Sequence, residues 1–159
     1  MDASGPNAER DVSIQAVKDA ERSVDYLETR TDIDHARIAF YGLSWGANRG
    51  PRICGIESRF TTCVLLAGGF PERRVPPEID AINFAPRAHM PLLELNGRYD
   101  FDQSTEHQAK PMFRFWGAPE KDKRMVIFEA GHLPADLRDV IREILDWLDK
   151  YMGPVKTTG

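Results

Sequence analysis

Ser44 lies in Gly42-Leu43-Ser44-Trp45-Gly46, after the apolar run Ile38-Ala39-Phe40-Tyr41 and before a helix-compatible segment. A serine on a sharp turn between strand and helix has its hydroxyl exposed at a strained backbone position. Gly42 and Gly46, without Cβ atoms, are expected to let neighbouring backbone pass close to it. The first N–H groups of the following helix are unpaired and can hold a developing oxyanion, with the Trp45 N–H as the first such donor. Ser44 is therefore a candidate nucleophile. Such a serine needs a base, and the base needs an orienting acid. In this arrangement both should follow in chain order, each just past a later strand. Asn96-Gly97-Arg98-Tyr99-Asp100-Phe101-Asp102 follows the third predicted strand, and Ala130-Gly131-His132-Leu133-Pro134 the fourth. His132 is the candidate base. Asp100 and Asp102 both remain open as the acid, because carboxylates two residues apart in an extended loop can point the same way.

The elements that must position these groups are read from hydrophobic period and from Gly and Pro punctuation. Residues 8–29 predict a helix on Val12, Ile14, Val17, Ala20, Val24, Tyr26 and Leu27. Strands are predicted at 37–41, 61–67, 91–96 and 124–129, the first buried on both faces. Residues 45–56 predict a helix broken or irregular at Gly50-Pro51. Residues 70–90, with four prolines, predict an excursion carrying one short helical piece near 80–85. Residues 105–116 predict a helix kinked or capped near Pro111. Residues 135–151 predict an amphipathic helix with Leu137, Val140, Ile141, Ile144, Leu145, Leu148 and Tyr151 on one face, stopped by Gly153-Pro154. Alternating strand and helix implies a parallel sheet with right-handed crossovers, whose ligands bind beyond the carboxyl ends of the strands. The fold class is α/β, one domain over 1–159, with flexible ends at 1–7 and 155–159.

The chain has 159 residues, 42% hydrophobic and 29% charged, with net charge −4. That is ordinary for a single globular domain. No basic stripe suggests nucleic acid. No apolar run approaches the roughly 20 residues that span a bilayer, so no membrane partner is expected. Met1-Asp2-Ala3-Ser4-Gly5-Pro6 has no apolar stretch of the kind a signal peptide carries, so a cytoplasmic location is expected. Cys54 and Cys63 read as reduced, buried residues. No spacing suggests zinc, no glycine-rich phosphate loop is present, and no metal or cofactor is expected. His35, His89 and His107 follow no strand in the required order. Phe70, Phe101 and Leu133 are candidate pocket walls, or ordinary loop packing. The Trp45 indole is read equally as a wall of the acyl pocket or a packed aromatic. Arg73-Arg74 is a small basic spot, read as solvated charge or as a contact for an anionic substrate.

Arg37 to Ala47, Asn83-Phe84-Ala85-Pro86-Arg87, Leu95 to Asp100, Pro119 to Lys123 and Gly131-His132 together resemble the catalytic half of an α/β-hydrolase fold protein. The resemblance is nearest to bacterial dienelactone hydrolase-like and acetyl xylan esterase-like enzymes, in particular the hydrolase modules appended to bacterial serine/threonine protein kinases. It covers about Val12 to Pro154. It implies a serine esterase with Ser44, Asp100 and His132 as the triad, cleaving small soluble esters through an acyl-enzyme. Members of this family place about four further strands ahead of the helix at Ala8, and a loop there supplies a second oxyanion N–H. Nothing in this sequence matches that loop. The expected fold is a truncated α/β-hydrolase with a mainly parallel sheet of about four strands. Such a sheet leaves the Arg37–Tyr41 strand as an exposed edge, which predicts a homodimer or higher homo-oligomer. The alternative reading is a catalytically impaired remnant that binds or oligomerises.

Overall fold

The computed structural model describes residues 7–134 and 136–155. Of the expected flexible ends at 1–7 and 155–159, residues 1–6 and 156–159 lie outside the described residues. The order is α1 (Ala8–Glu28), β1 (Ala39–Leu43), α2 (Trp45–Ile56), β2 (Thr62–Leu66), β3 (Leu92–Gly97), α3 (Lys110–Phe115), β4 (Lys123–Phe128) and α4 (Leu137–Met152). Three 3-10 turns, Pro77–Ile79, Ala81–Asn83 and Ala85–Arg87, fill the excursion between β2 and β3. The sheet is four-stranded and wholly parallel in the order β1-β2-β3-β4. Helices pack on both faces, as parallel sheets require. One core gathers Val17, Val24, Cys54, Leu65, Leu92, Met112 and Trp116 with α1, α2 and α3. The other puts α4 over Val64, Leu66, Leu93 and Leu95. Among the described residues no helix is long and apolar enough to cross a membrane.

Several elements differ from the sequence expectation. β1 runs to Leu43 rather than ending at Tyr41, because Gly42 and Leu43 continue the ladder opposite Leu65 and Leu66. The strand thus delivers the chain straight into Ser44. It is not buried on both faces: Tyr41 is 52% exposed and Leu43 41%. β1 is an edge strand, and α4 sits over its neighbours instead. α2 is unbroken across Pro51, which is packed in the core. The preceding Gly50 has no Cβ to meet the proline ring, so the usual conflict with helical backbone is relieved. The awkward point falls later, where residues Thr105–Ala109 make a π-turn and α3 follows from Lys110 with Pro111 in its first turn. In α1 the buried line is Ser13, Val17 and Val24, and Val12, Ile14 and Tyr26 face outward.

α4 starts at Leu137, capped by the Asp136 side chain, which accepts from the Arg138 N–H at 2.9 Å. Its buried anchor is Trp147, whose indole N–H donates to Thr62 Oγ1 at 2.7 Å. Leu137, Ile141 and Leu145 are about half exposed rather than sharing the buried face. The polar side of α4 is turned to β4, where Arg124 meets Glu143. The exposed apolar line therefore lies on the opposite flank, toward β1, as a 100° step per residue dictates.

Candidate active site

Three carboxyl-end loops of the sheet converge here. Ser44 has φ 51° and ψ −110°, a left-handed position that costs about 1–3 kcal/mol for a residue with a side chain. The strain is held from both sides. The Ser44 N–H donates to Leu66 O at 2.8 Å, and the Asn48 N–H closes the first helical turn on Ser44 O at 3.0 Å. Gly42 is required: a Cβ there would stand 2.8 Å from Ala47 N and from Gly46 C and O. Gly46 is not required for the reason given from sequence, because a Cβ there would meet nothing within 4 Å. The turn passes over Gly42, and Gly46 faces open space.

His132 is brought to Ser44 from 88 residues away, with its Nε2 2.8 Å from Ser44 Oγ. Its Nδ1 lies 2.8 Å from Asp100 Oδ2. The second oxygen of Asp100, Oδ1, accepts from the backbone N–H groups of Asp102 and Gln103, both at 2.9 Å. The Asp100 side chain is wholly buried, and that of His132 one-quarter exposed. Between the two acids left open by the sequence, the structure brings Asp100 to the imidazole. Asp102 is exposed and contributes its backbone N–H.

The Asp100 and His132 loops are stitched together. Arg98 N–H donates to Phe128 O at 2.8 Å and Tyr99 N–H to Ala130 O at 2.9 Å. Glu129 accepts from Arg98 Nε at 2.5 Å and from the Tyr99 hydroxyl at 2.9 Å. This exposed ion pair adds little energy by itself, but it holds the two loops in register. Gly97 is the point of closest approach. A Cβ there would stand 1.8 Å from Gly131 O and 2.6 Å from Ala130 O. Only glycine lets β3 deliver Asp100 beneath the His132 loop.

The sequence-nominated pocket residues separate. Phe70 is a core residue, 8% exposed and packed against Phe115 at 6.2 Å between ring centres. The chain turns it inward after Gly68-Gly69, so it does not wall a pocket. Phe101 is 89% exposed and Leu133 44%. Neither lines the cleft beside the elbow. That cleft, of about 420 Å³, is lined by Trp45, Arg49, Arg52, Arg73 and Gln103 among others. The Arg49 guanidinium lies over the Trp45 ring, so the indole is a cleft wall rather than a buried aromatic. Arg73 pairs with Glu9, at 2.6 Å through Nη1, and so is not simply solvated. Arg49 and Arg52 went unremarked in the sequence. Their spacing of three on the helix after the elbow was the available sign, since i and i+3 share a helix face.

His35 and His89 are exposed and bond backbone carbonyls of Arg30 and Gly117, and His107 is exposed on the π-turn. Cys54 and Cys63 are free and buried, their sulfurs 3.5 Å apart. Among the described residues, Asp100, Asp102 and His132 are close enough together to hold a cation, with ligand atoms within 4.8 Å of one another. Both ring nitrogens of His132 already face Asp100 and Ser44, so a cation would compete with those bonds.

No family model matches the chain, and no curated protein matches it. Solved structures do. An acetyl xylan esterase from Paenibacillus sp. R4 superposes with a TM-score of 0.72 at 16% identity, over 86% of this chain and 52% of that one. Alpha/beta hydrolase GrgF from Penicillium sp. sh18 gives 0.76 at 14% identity, over 89% and 73%. A protein assigned as a dienelactone hydrolase from Klebsiella pneumoniae gives 0.72 at 18%, over 87% and 62%. The chain spans between half and three-fifths of the first structures it matches. With four parallel strands, a strained serine at the β1–α2 turn and loops from β3 and β4 closing over it, this chain has the α/β-hydrolase fold in truncated form.

Proposed function

We propose that the protein is a serine hydrolase that cleaves small carboxylic esters through Ser44, His132 and Asp100. The observation that carries this is the unbroken chain of two 2.8 Å hydrogen bonds from Ser44 Oγ through the imidazole to Asp100. In that reading Ser44 Oγ attacks the ester carbonyl as its proton passes to His132 Nε2. The Asp100 carboxylate keeps the proton on Nδ1 and stabilises the imidazolium. The Trp45 N–H, at the start of α2 with no carbonyl one turn back, donates to the tetrahedral oxyanion. Collapse breaks the ester C–O bond, and His132 returns its proton to the departing alkoxide. Water, deprotonated by the same imidazole, then releases the acid and restores Ser44. The reaction calls for no cofactor. We place it in the cytoplasm, where thiols such as Cys54 and Cys63 stay reduced.

The test is hydrolysis of p-nitrophenyl acetate by wild type and by Ser44→Ala. A wild-type rate that the substitution abolishes is expected, and equal rates would contradict the proposal. Gly97→Ala gives a second, geometric check. Its methyl must displace the Gly131 carbonyl by more than 1 Å, and a misplacement of that size costs on the order of 100-fold in rate. The expected outcome is a kcat about 100-fold down in protein that still melts cooperatively; an unchanged kcat would show that the two loops need not approach so closely.

We also propose that the protein works as a homodimer or larger homo-oligomer. Among the described residues β1 presents an unpaired edge, and its exposed Tyr41 and Leu43 lie on the sheet face that carries Leu137, Ile141 and Leu145 of α4. An open edge beside apolar surface is a template for pairing. Sedimentation at micromolar concentration should give at least twice the mass of the chain, and a stable monomer would refute this.

A further inference from the structure

Arg49 and Arg52 project from the helix that Ser44 begins, and both line the cleft beside it. Neither has a carboxylate within 4 Å among the described residues, although most arginines here do. Arg52 is 7% exposed, and its Nε donates to the Ile79 carbonyl, a neutral partner. Arg49 Nη1 donates to the Trp45 carbonyl at 3.2 Å, and Arg49 Nε is buried with no partner among the described residues. Burial and then the neighbouring Arg52 charge push the Arg49 guanidinium down to about 10, far below the usual value. Two carboxylates act on them from farther off: Glu9, which Arg73 engages through both its oxygens, and, for Arg52, Asp80, which accepts from the Ile82 N–H. Glu72 stands exposed at the rim.

Two adjacent, part-buried cations with no carboxylate in direct contact among the described residues are an unfavourable arrangement unless something further compensates them. The cleft is tied to the reacting groups. Its wall Trp45 follows Ser44, and its wall Gln103 donates its backbone N–H to Asp100 Oδ1. Guanidinium forks match carboxylate and phosphate oxygens.

We propose that Arg49 and Arg52 form a subsite that holds the anionic group, carboxylate or phosphate, of the ester whose carbonyl Ser44 attacks. This rests on the reading of Ser44 as the nucleophile. The substrate is then an ester bearing a negative charge close to the scissile bond. The charge binds beside Trp45 and places the ester carbonyl over the elbow.

Binding and turnover can be read separately. Trp116 and Trp147 are buried, so fluorescence changes on adding an anion report Trp45, whose ring lies beneath Arg49. Succinate and inorganic phosphate are titrated into Ser44→Ala protein, alone and combined with Arg49→Gln or Arg52→Gln. A saturable change is expected, with affinity weakened on the order of tenfold by either arginine substitution, the loss of one charged hydrogen bond. No saturation, or equal affinity in all three proteins, overturns the subsite. In wild type, mono-p-nitrophenyl glutarate is compared with p-nitrophenyl valerate, and 4-acetoxybenzoate with its methyl ester, each over the Ser44→Ala background. One charged member should exceed its neutral partner in kcat/KM about tenfold, and Arg49→Gln should erase that ratio. Anion binding with ratios near one in both pairs shows a site for free anions and overturns the assignment to substrate. Anion binding with no hydrolysis of any ester overturns the reading of Ser44, and with it the ester, while the binding stands measured.

Discussion

Asp100→Asn is expected to lower kcat by about 10⁴-fold, while Asp102→Asn should change it by about twofold or less. The size follows from the way Asp100 is held. Its Oδ1 accepts two backbone N–H groups, from Asp102 and Gln103, and its Oδ2 faces His132 Nδ1. An asparagine must keep its oxygen on those two donors, because turning the amide would set N–H against N–H. Its NH2 group then points at Nδ1, which must become an acceptor. The imidazole proton moves to Nε2, the atom that should take the Ser44 proton. The geometry survives and the tautomer is wrong. Asp102 offers only its main chain, which the substitution leaves in place. Steady-state hydrolysis of p-nitrophenyl acetate by the two variants reads the difference. Comparable losses in both would place the acid elsewhere.

Glu94→Leu is expected to stabilise the protein by about 1–4 kcal/mol at neutral pH. Glu94 lies in the middle of β3, fully buried, and among the described residues neither carboxylate oxygen has a partner. It stands opposite Leu65 and Met125 in register. Burial holds its carboxyl well above the usual range. The folded protein therefore binds a proton that the unfolded chain releases near pH 4.3. Stability from this group is fully present below that value. It falls as pH rises toward the raised folded value, at up to about 1.4 kcal/mol per pH unit. Leucine removes both the lone buried carboxyl and this slope. Urea midpoints at pH 5 and pH 8 should diverge between variant and wild type, with the variant ahead and the gap wider at pH 8. Equal midpoints at both would mean that the carboxyl is satisfied.

The parts legible in the sequence were those whose physics is local or set by chain order. Gly42-Leu43-Ser44-Trp45-Gly46 after an apolar run can hardly be other than a strand-to-helix turn, and four such runs separated by helices leave few sheets to build. The Asp100 and His132 loops could be placed because each leaves a parallel strand at the same edge. What the sequence left open depends on direction in three dimensions. Asp100 and Asp102 separate only through the two N–H groups that orient Asp100. Phe70 lay on the catalytic edge by order, but the chain turns it into the core. Trp147 fell off the assumed helical face, although it anchors α4. Glu94 sits among leucines that a strand pattern leaves uninformative about depth. Arg49 and Arg52 look like any helical arginines until their carboxylates are sought and, among the described residues, none lies within 4 Å.

The central claim is that His132 makes Ser44 a nucleophile, and covalent labelling tests it most directly. A fluorophosphonate reacts with an activated serine by forming an O–P bond and expelling fluoride, and peptide mass mapping then locates the added group. The account predicts one label, on the peptide holding Ser44, in wild type, and none in Ser44→Ala or His132→Ala. A label on another residue, or equal labelling of Ser44 after His132 is removed, would contradict it.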